Sequence, residues 1–254
     1  MDLLLKNKVI LISGGAKGIG AAISETLLQE GAIPVIIDPS EKEGQMILAK
    51  GKGLQIPIRL EKPEDSEKSV NQANAAFGRI DGLVNNAGAN DSVGLENGNP
   101  AAFAQSVQKN LMHYYDLAHF ALPHLKKSKG SIVNISSKTA ITGQGGTSGY
   151  VAAKGAQLAL TREWAAELLP FHIRVNAVIP AEVYTPLYEN WLKAFPNPKD
   201  KLKEITDRIP LGNRMTTAEE IANMVVFLLS DKASHITGQH LFVDGGYTHL
   251  DRAL

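Results

Sequence analysis

The sequence predicts an α/β protein: a doubly wound, seven-stranded parallel sheet with helices on both faces. Three observations carry that expectation. Short runs rich in Val, Ile and Leu alternate with longer helical patterns, the signature of βαβ units. Most of the runs are apolar on successive residues, as strands buried on both faces must be. A glycine-rich segment directly follows the first run and opens the first helical pattern, where folds of this class bind ligands.

The strand candidates, in order, are KVILIS (8–13), IPVIID (33–38), LQIPIRL (54–60), IDGLVNNAG (80–88), GSIVNIS (130–136), IRVNAVIP (173–180) and GQHLFVDGG (238–246). Helical patterns lie at 19–30, 64–77, 100–125, 150–169 and 217–229. Right-handed crossovers between parallel strands would place these helices on both faces. The 254 residues are read as a single Rossmann-type domain over 1–254. Positions 184–216, with Pro at 186, 196, 198 and 210, break the alternation. They are expected to form a helical, substrate-covering insertion, in which Trp191 and Phe195 should find burial.

Composition narrows the function classes. Hydrophobic residues make up 44% and charged residues 20%, the balance of a soluble globular protein. Lys plus Arg and Asp plus Glu each number 26, so no net field favours nucleic acid or an anionic membrane. There is no cysteine, hence no disulfide framework and no thiolate metal site. The seven histidines are scattered without ligand spacing, so no metal is expected; His113 reads as a helix surface residue. No apolar run approaches the ~18 residues of a membrane span. The N-terminus lacks the basic start and long apolar run of a secretory signal. A cytoplasmic protein is expected.

The segment KVILISGGAKGIGAAISETLLQEGA is a strand, a glycine turn and a helix. Gly14, Gly18 and Gly20 would let backbone N–H groups approach a pyrophosphate, with the positive end of the helix aimed at it. The spacing G-x-x-x-G-x-G differs from the common G-x-G-x-x-G. Asp38 ends the second run, about 20 residues further on, where an acid accepts from the ribose hydroxyls of NAD and would repel the 2′-phosphate of NADP. Lys17 reads two ways, as a partner for that phosphate or as a solvated loop lysine. NAD is the expected cofactor, with NADP as the alternative. Tyr150 and Lys154 stand four apart, on one face of a helix.

Ordered motifs carry a family resemblance: SGGAKGIG (13–20), NNAG (85–88), Asn110 in VQKNL, NISS (134–137), YVAAK (150–154) and IPAEVYTP (179–186). The chain resembles the short-chain dehydrogenases/reductases over essentially its whole length. Segments such as NISSKTAITGQGGTSGY and RVNAVIPAEVYTPLY resemble more closely the sugar-oxidising members, the L-fucose dehydrogenases. The resemblance implies a catalytic set of Asn110, Ser137, Tyr150 and Lys154. It implies cofactor contacts at Gly14, Lys17, Gly18, Ile19, Gly20, Asp38, Leu60, Asn86, Ala87, Gly88, Tyr150, Lys154, Pro180, Val183 and Thr185. Three positions depart from the family pattern. Arg59–Leu60 stands where an Asp–Val pair usually meets adenine, leaving a backbone contact at Leu60. Pro180–Ala181 replaces Pro–Gly, and Ser13 replaces Thr.

The chemistry of those residues fits alcohol oxidation. A phenol of pKa about 10 is a poor base at neutral pH. A neighbouring Lys154 ammonium and a positive nicotinamide would both favour the phenolate of Tyr150. Ser137 would donate to the reacting oxygen, and Asn110 would hold a water joining Lys154 to solvent. A sugar needs several polar partners. Asn90, Ser137, Lys138, Gln144 and Glu182 are the candidates, with Thr139 beside them. Glu182 is equally readable as an outward loop acid. Trp191 would stack on a sugar face or fill the core. The tail FVDGGYTHLDRAL resembles members that pack across a two-fold, which implies a homotetramer, with a dimer as the alternative. The expected reaction takes hydride from the anomeric carbon of L-fucose or a similar aldose to NAD(P), giving a lactone. The alternatives are a 3-oxoacyl thioester reductase and a catalytically silent nucleotide-binding sensor or scaffold.

Overall fold

The computed structural model describes residues 2–250. Seven parallel strands form one sheet: β1 (Val9–Ser13), β2 (Ile33–Ile37), β3 (Leu54–Ile56), β4 (Gly82–Asn85), β5 (Ser131–Ile135), β6 (Arg174–Pro180) and β7 (His240–Val243). Their order is β3-β2-β1-β4-β5-β6-β7. The chain reverses its direction of winding between β1 and β4, which opens a crevice at the carboxyl edge.

Continuous apolar runs were expected to face two layers, and β1 shows how. Val9 and Leu11 pack into one core and Ile10 and Ile12 into the other, because successive strand side chains point to opposite faces. The first core is closed by α3 (Pro63–Phe77), α5 (His113–Ser128) and α7 (Ser148–Glu167), through Val70, Leu117, Leu125 and Trp164. The second is closed by α1 (Gly18–Gln29) and α10 (Ala218–Leu229), through Ile23, Leu27, Ile221 and Val225.

Several local expectations are corrected. The strand expected over 54–60 stops at Ile56, because Pro57 has no N–H to continue the ladder. Sequence reading missed α2 (Glu41–Leu48), whose stretch EKEGQMIL is half charged or polar and carries a glycine. The single helix expected over 100–125 is α4 (Pro100–Val107), a π-helical turn (Gln108–Met112) and α5. That turn carries Asn110, in keeping with the tendency of π-bulges to mark functional sites. A short α6 (Thr139–Thr142) follows β5.

The insertion folds as α8 (Pro186–Leu192) and α9 (Pro198–Thr206). Its two ends meet: Val183 bridges Thr216, whose N–H donates to the Glu182 carbonyl at 3.0 Å. The expectation that Trp191 is buried fails. Trp191 is 46% exposed, while Leu192, one residue on, is 4% exposed. On this short helix Leu192 takes the inward face, and Trp191 packs edge-on against Tyr188 and Phe195 on the outside. Among the described residues no helix is long and apolar enough to cross a membrane.

Candidate active site

The glycine turn is built so that two loops lock together. Gly14 and Gly18 adopt φ of +65° and +54°, a region that costs a residue with a Cβ. A Cβ at Gly20 would overlap the carbonyl oxygen of Gly14, so only glycine lets α1 sit this close to the turn. The Ser13 hydroxyl accepts from the N–H groups of Asn86 (2.9 Å) and Ala87 (3.1 Å). In return the Asn86 amide donates to the carbonyls of Ser13 and Gly14. The hydroxyl kept at position 13 therefore fastens the glycine turn to the loop after β4.

A cavity of about 1130 Å³ runs along the carboxyl edge of the sheet. Every residue expected to hold the cofactor lines it except Gly20, which backs the turn. At one end Asp38 is buried. Its carboxylate accepts from Ala16 N–H at 3.2 Å and Ser40 N–H at 2.8 Å, which fixes its direction. Lys17, whose role was open, pairs with Glu43 of α2 at 3.0 Å, both groups about half exposed. The bare glycine backbone, the fixed acid and a long cleft suit an extended dinucleotide.

At the other end stand Ser137, Tyr150 and Lys154, all lining the cavity. Lys154 is buried and donates to the Ile135 carbonyl (2.7 Å) and the Tyr114 hydroxyl (3.3 Å). Its amine lies 5.6 Å from the Tyr150 ring centre. Burial pulls the Lys154 pKa down to about 7. Burial also pushes the Tyr150 phenol up, against a hydrogen bond from Ser137 that favours the phenolate. The expected lowering was for the Lys154 ammonium together with a positive nicotinamide; without the cofactor, burial is the larger influence. The Ser137 hydroxyl accepts from the Thr139 hydroxyl at 3.0 Å, which leaves its own hydrogen for Tyr150.

Asn110 lies behind this trio, fully buried. Its side chain accepts from Ala89 N–H (2.8 Å) and donates to the Ser106 carbonyl (3.0 Å), and its own carbonyl accepts from Gln157 (2.8 Å). Two neighbours on α5 were not foreseen. Tyr114 is fully buried, its hydroxyl donating to the Ile135 carbonyl at 3.0 Å. His113, read as a surface residue, is instead buried and lines the cavity. Burial, then the charge of Lys154, pulls its pKa down to about 4. The shift from a regular helix to a π-turn at 108–112 re-aims α5, which no periodicity count would register.

The expected substrate residues are less well gathered. Only Ser137 among them lines the cavity. Asn90 and Gln144 are exposed, and Asn90 turns back to accept from Ser92 N–H. Lys138 and Glu182 form a largely buried ion pair. The second oxygen of Glu182 accepts from the Tyr188 hydroxyl at 2.8 Å. Tyr188 lines the cavity and was missed, because nothing in the sequence ties it to positions 138 and 182.

A family model described as enoyl-(acyl carrier protein) reductase matches residues 14–248. L-fucose dehydrogenase of Bos taurus is 37% identical over 241 residues, 94% of this chain and 88% of that protein. The 3-oxoacyl-[acyl-carrier-protein] reductase of Thermotoga maritima is 34% identical over 248 residues, 95% of this chain and 98% of that one. The crystal structure of Cj0485 dehydrogenase superposes with a TM-score of 0.97 at 50% identity, covering 100% of this chain and 99% of that one. That of Thermoplasma acidophilum aldohexose dehydrogenase gives 0.90 at 32% identity, covering 98% and 97%. Likeness of this extent in both sequence and structure leaves one assignment: the chain belongs to the short-chain dehydrogenase/reductase family and is an NAD(P)-dependent oxidoreductase.

Proposed function

We propose that the chain oxidises the anomeric hydroxyl of an aldose, L-fucose or a close relative, to a lactone, with NAD as the preferred cofactor. The observation that carries the substrate class is a polar lining residue near Ser137: Tyr188 faces the cavity and is backed by the Lys138–Glu182 pair. A fatty acyl chain gains nothing from such a residue, whereas a polyol does. The names of the L-fucose and aldohexose dehydrogenases point the same way.

Bound nicotinamide dinucleotide supplies the hydride acceptor. The phenolate of Tyr150 takes the hydroxyl proton, Ser137 donates to the reacting oxygen, and Lys154 passes the proton to a water beside Asn110 and so to solvent. Asp38 favours NAD, since it lines the cavity with its carboxylate held in place by two backbone N–H groups. Lys17, the cation in the glycine turn, is already paired with Glu43. A homotetramer remains part of the proposal; the last four residues of the tail that suggests it, 251–254, lie outside the described residues.

Reduction of a 3-oxoacyl thioester is the second reading, supported by the acyl-carrier-protein relative and the description of the family model. Reduced-cofactor formation against a panel of aldoses and 3-hydroxyacyl thioesters, with NAD and with NADP, decides between them. Turnover of an aldose with NAD is expected. Turnover of thioesters alone overturns the sugar reading.

A further inference from the structure

Four residues from three separate stretches of the chain, Lys138, Glu182, Tyr188 and Tyr247, meet at the end of the cavity that Tyr188 lines. Lys138 follows the catalytic serine, and its N–H donates to the Pro180 carbonyl at 2.9 Å, joining the turn after β5 to the end of β6. Its amine pairs with Glu182 and sits 3.9 Å above the ring centre of Tyr247. Side-chain exposure is 9% for Lys138 and 15% for Glu182, so solvent does little to loosen the pair. Tyr188, on α8, closes the set by donating to the free oxygen of Glu182.

This arrangement decides what the wall offers a ligand. Both carboxylate oxygens of Glu182 are engaged, one by Lys138 and one by Tyr188. A carboxylate can only accept, so the Tyr188 hydrogen is committed to it. Burial and then the charge of Glu182 push the Tyr188 phenol far up, so it stays protonated across the working range. What remains on Tyr188 is a phenol oxygen with spare acceptor capacity, on a residue of the cavity wall.

We propose that Tyr188 is a specificity-determining residue that accepts a hydrogen bond from one hydroxyl of the substrate, Glu182 having fixed its hydrogen away from the ligand. The inference rests on the aldose reading and deepens it. A sugar hydroxyl can donate to Tyr188, while an oxo or thioester oxygen cannot. Glu182 therefore acts through Tyr188 and does not touch the sugar.

The test uses L-fucose, its 2-, 3- and 4-deoxy analogues and the matching deoxyfluoro sugars, with wild type and Tyr188→Phe. In wild type, removing one particular hydroxyl should lower kcat/KM about tenfold, as loss of one hydrogen bond does. Fluorine at that carbon should restore none of it, because fluorine accepts and cannot donate. Tyr188→Phe should show about the same loss with L-fucose, mostly in KM, and no further loss with that one analogue. Its KM for NAD should match wild type, which separates a local effect from misfolding. The proposal is overturned if the fluoro sugar recovers the parent rate, a result read in wild type alone. It is also overturned if Tyr188→Phe penalises every analogue equally. Absence of turnover with L-fucose and every other parent aldose overturns the sugar reading and this proposal together. Turnover without a position-specific loss overturns this proposal alone.

Discussion

The amine of Lys154 lies 2.7 Å from the carbonyl oxygen of Ile135, the last residue of β5. That bond, with the contact to the Tyr114 hydroxyl, fixes the amine against the end of the sheet instead of on the phenol it serves. In the proposed mechanism Lys154 therefore acts on Tyr150 through space, and only while protonated. Burial weakens that protonation to a pKa of about 7.

A titration follows from this relationship. In cofactor-free protein the Tyr150 phenol should ionise above its ordinary value of about 10, because burial raises it. Adding NAD⁺ should bring one tyrosine down. Ultraviolet difference titration of wild type against Tyr150→Phe isolates that group. A phenol already ionising near neutrality without cofactor would show that Lys154 lowers it after all. In turnover, kcat/KM for alcohol oxidation should rise with pH, since the phenolate is the proton acceptor, and carbonyl reduction should fall.

Tyr150→Phe should lower turnover at least about a hundredfold while leaving cofactor affinity within about threefold, since proton transfer by a placed group contributes about 10² to 10⁴. Steady-state rates and a cofactor-binding titration check both halves. An active variant would remove Tyr150 from the chemistry and revive the reading of a nucleotide-binding scaffold.

Cofactor choice turns on two residues that sequence placed twenty-one positions apart and the fold sets at one rim. Asp38→Ala should shift the NADP to NAD ratio of kcat/KM at least tenfold toward NADP. Adding Glu43→Gln should shift it further by releasing Lys17 from its 3.0 Å pair. If wild type already prefers NADP, Asp38 does not exclude the phosphate.

Buried His113 links the site to acid stability. Its folded pKa, about 4, lies below the ordinary value of 6.5, so the unfolded chain binds the extra proton between those limits. Its contribution to stability is fully present above 6.5 and is lost as pH falls through 4. The loss is roughly 3 kcal/mol across that window. Denaturant unfolding of wild type and His113→Gln at pH 7 and pH 4 should show a smaller drop in the variant. Equal drops would contradict neutral burial of His113.

The sheet was legible because both-face burial writes itself as unbroken apolar runs, and β1 through β7 lie inside the stretches expected for them. The glycine turn was legible because it sits between a strand and a helix that the sequence displays, while the set Asn110, Ser137, Tyr150 and Lys154 came from the family resemblance and not from any local period. The cluster proposed to face the substrate was not legible. Lys138, Glu182, Tyr188 and Tyr247 meet through the closure of the insertion at Val183 and Thr216, and no local period records that closure. His113 was misread for a related reason, since the π-turn before it resets the helical phase.

The central claim is hydride removal from the anomeric carbon of an aldose, and isotope placement tests it most directly. L-fucose carrying deuterium at C1 should be turned over with NAD, and the deuterium should appear in the reduced cofactor, with the lactone as product. Turnover that leaves deuterium on the sugar, with oxidation at another carbon, would contradict the account.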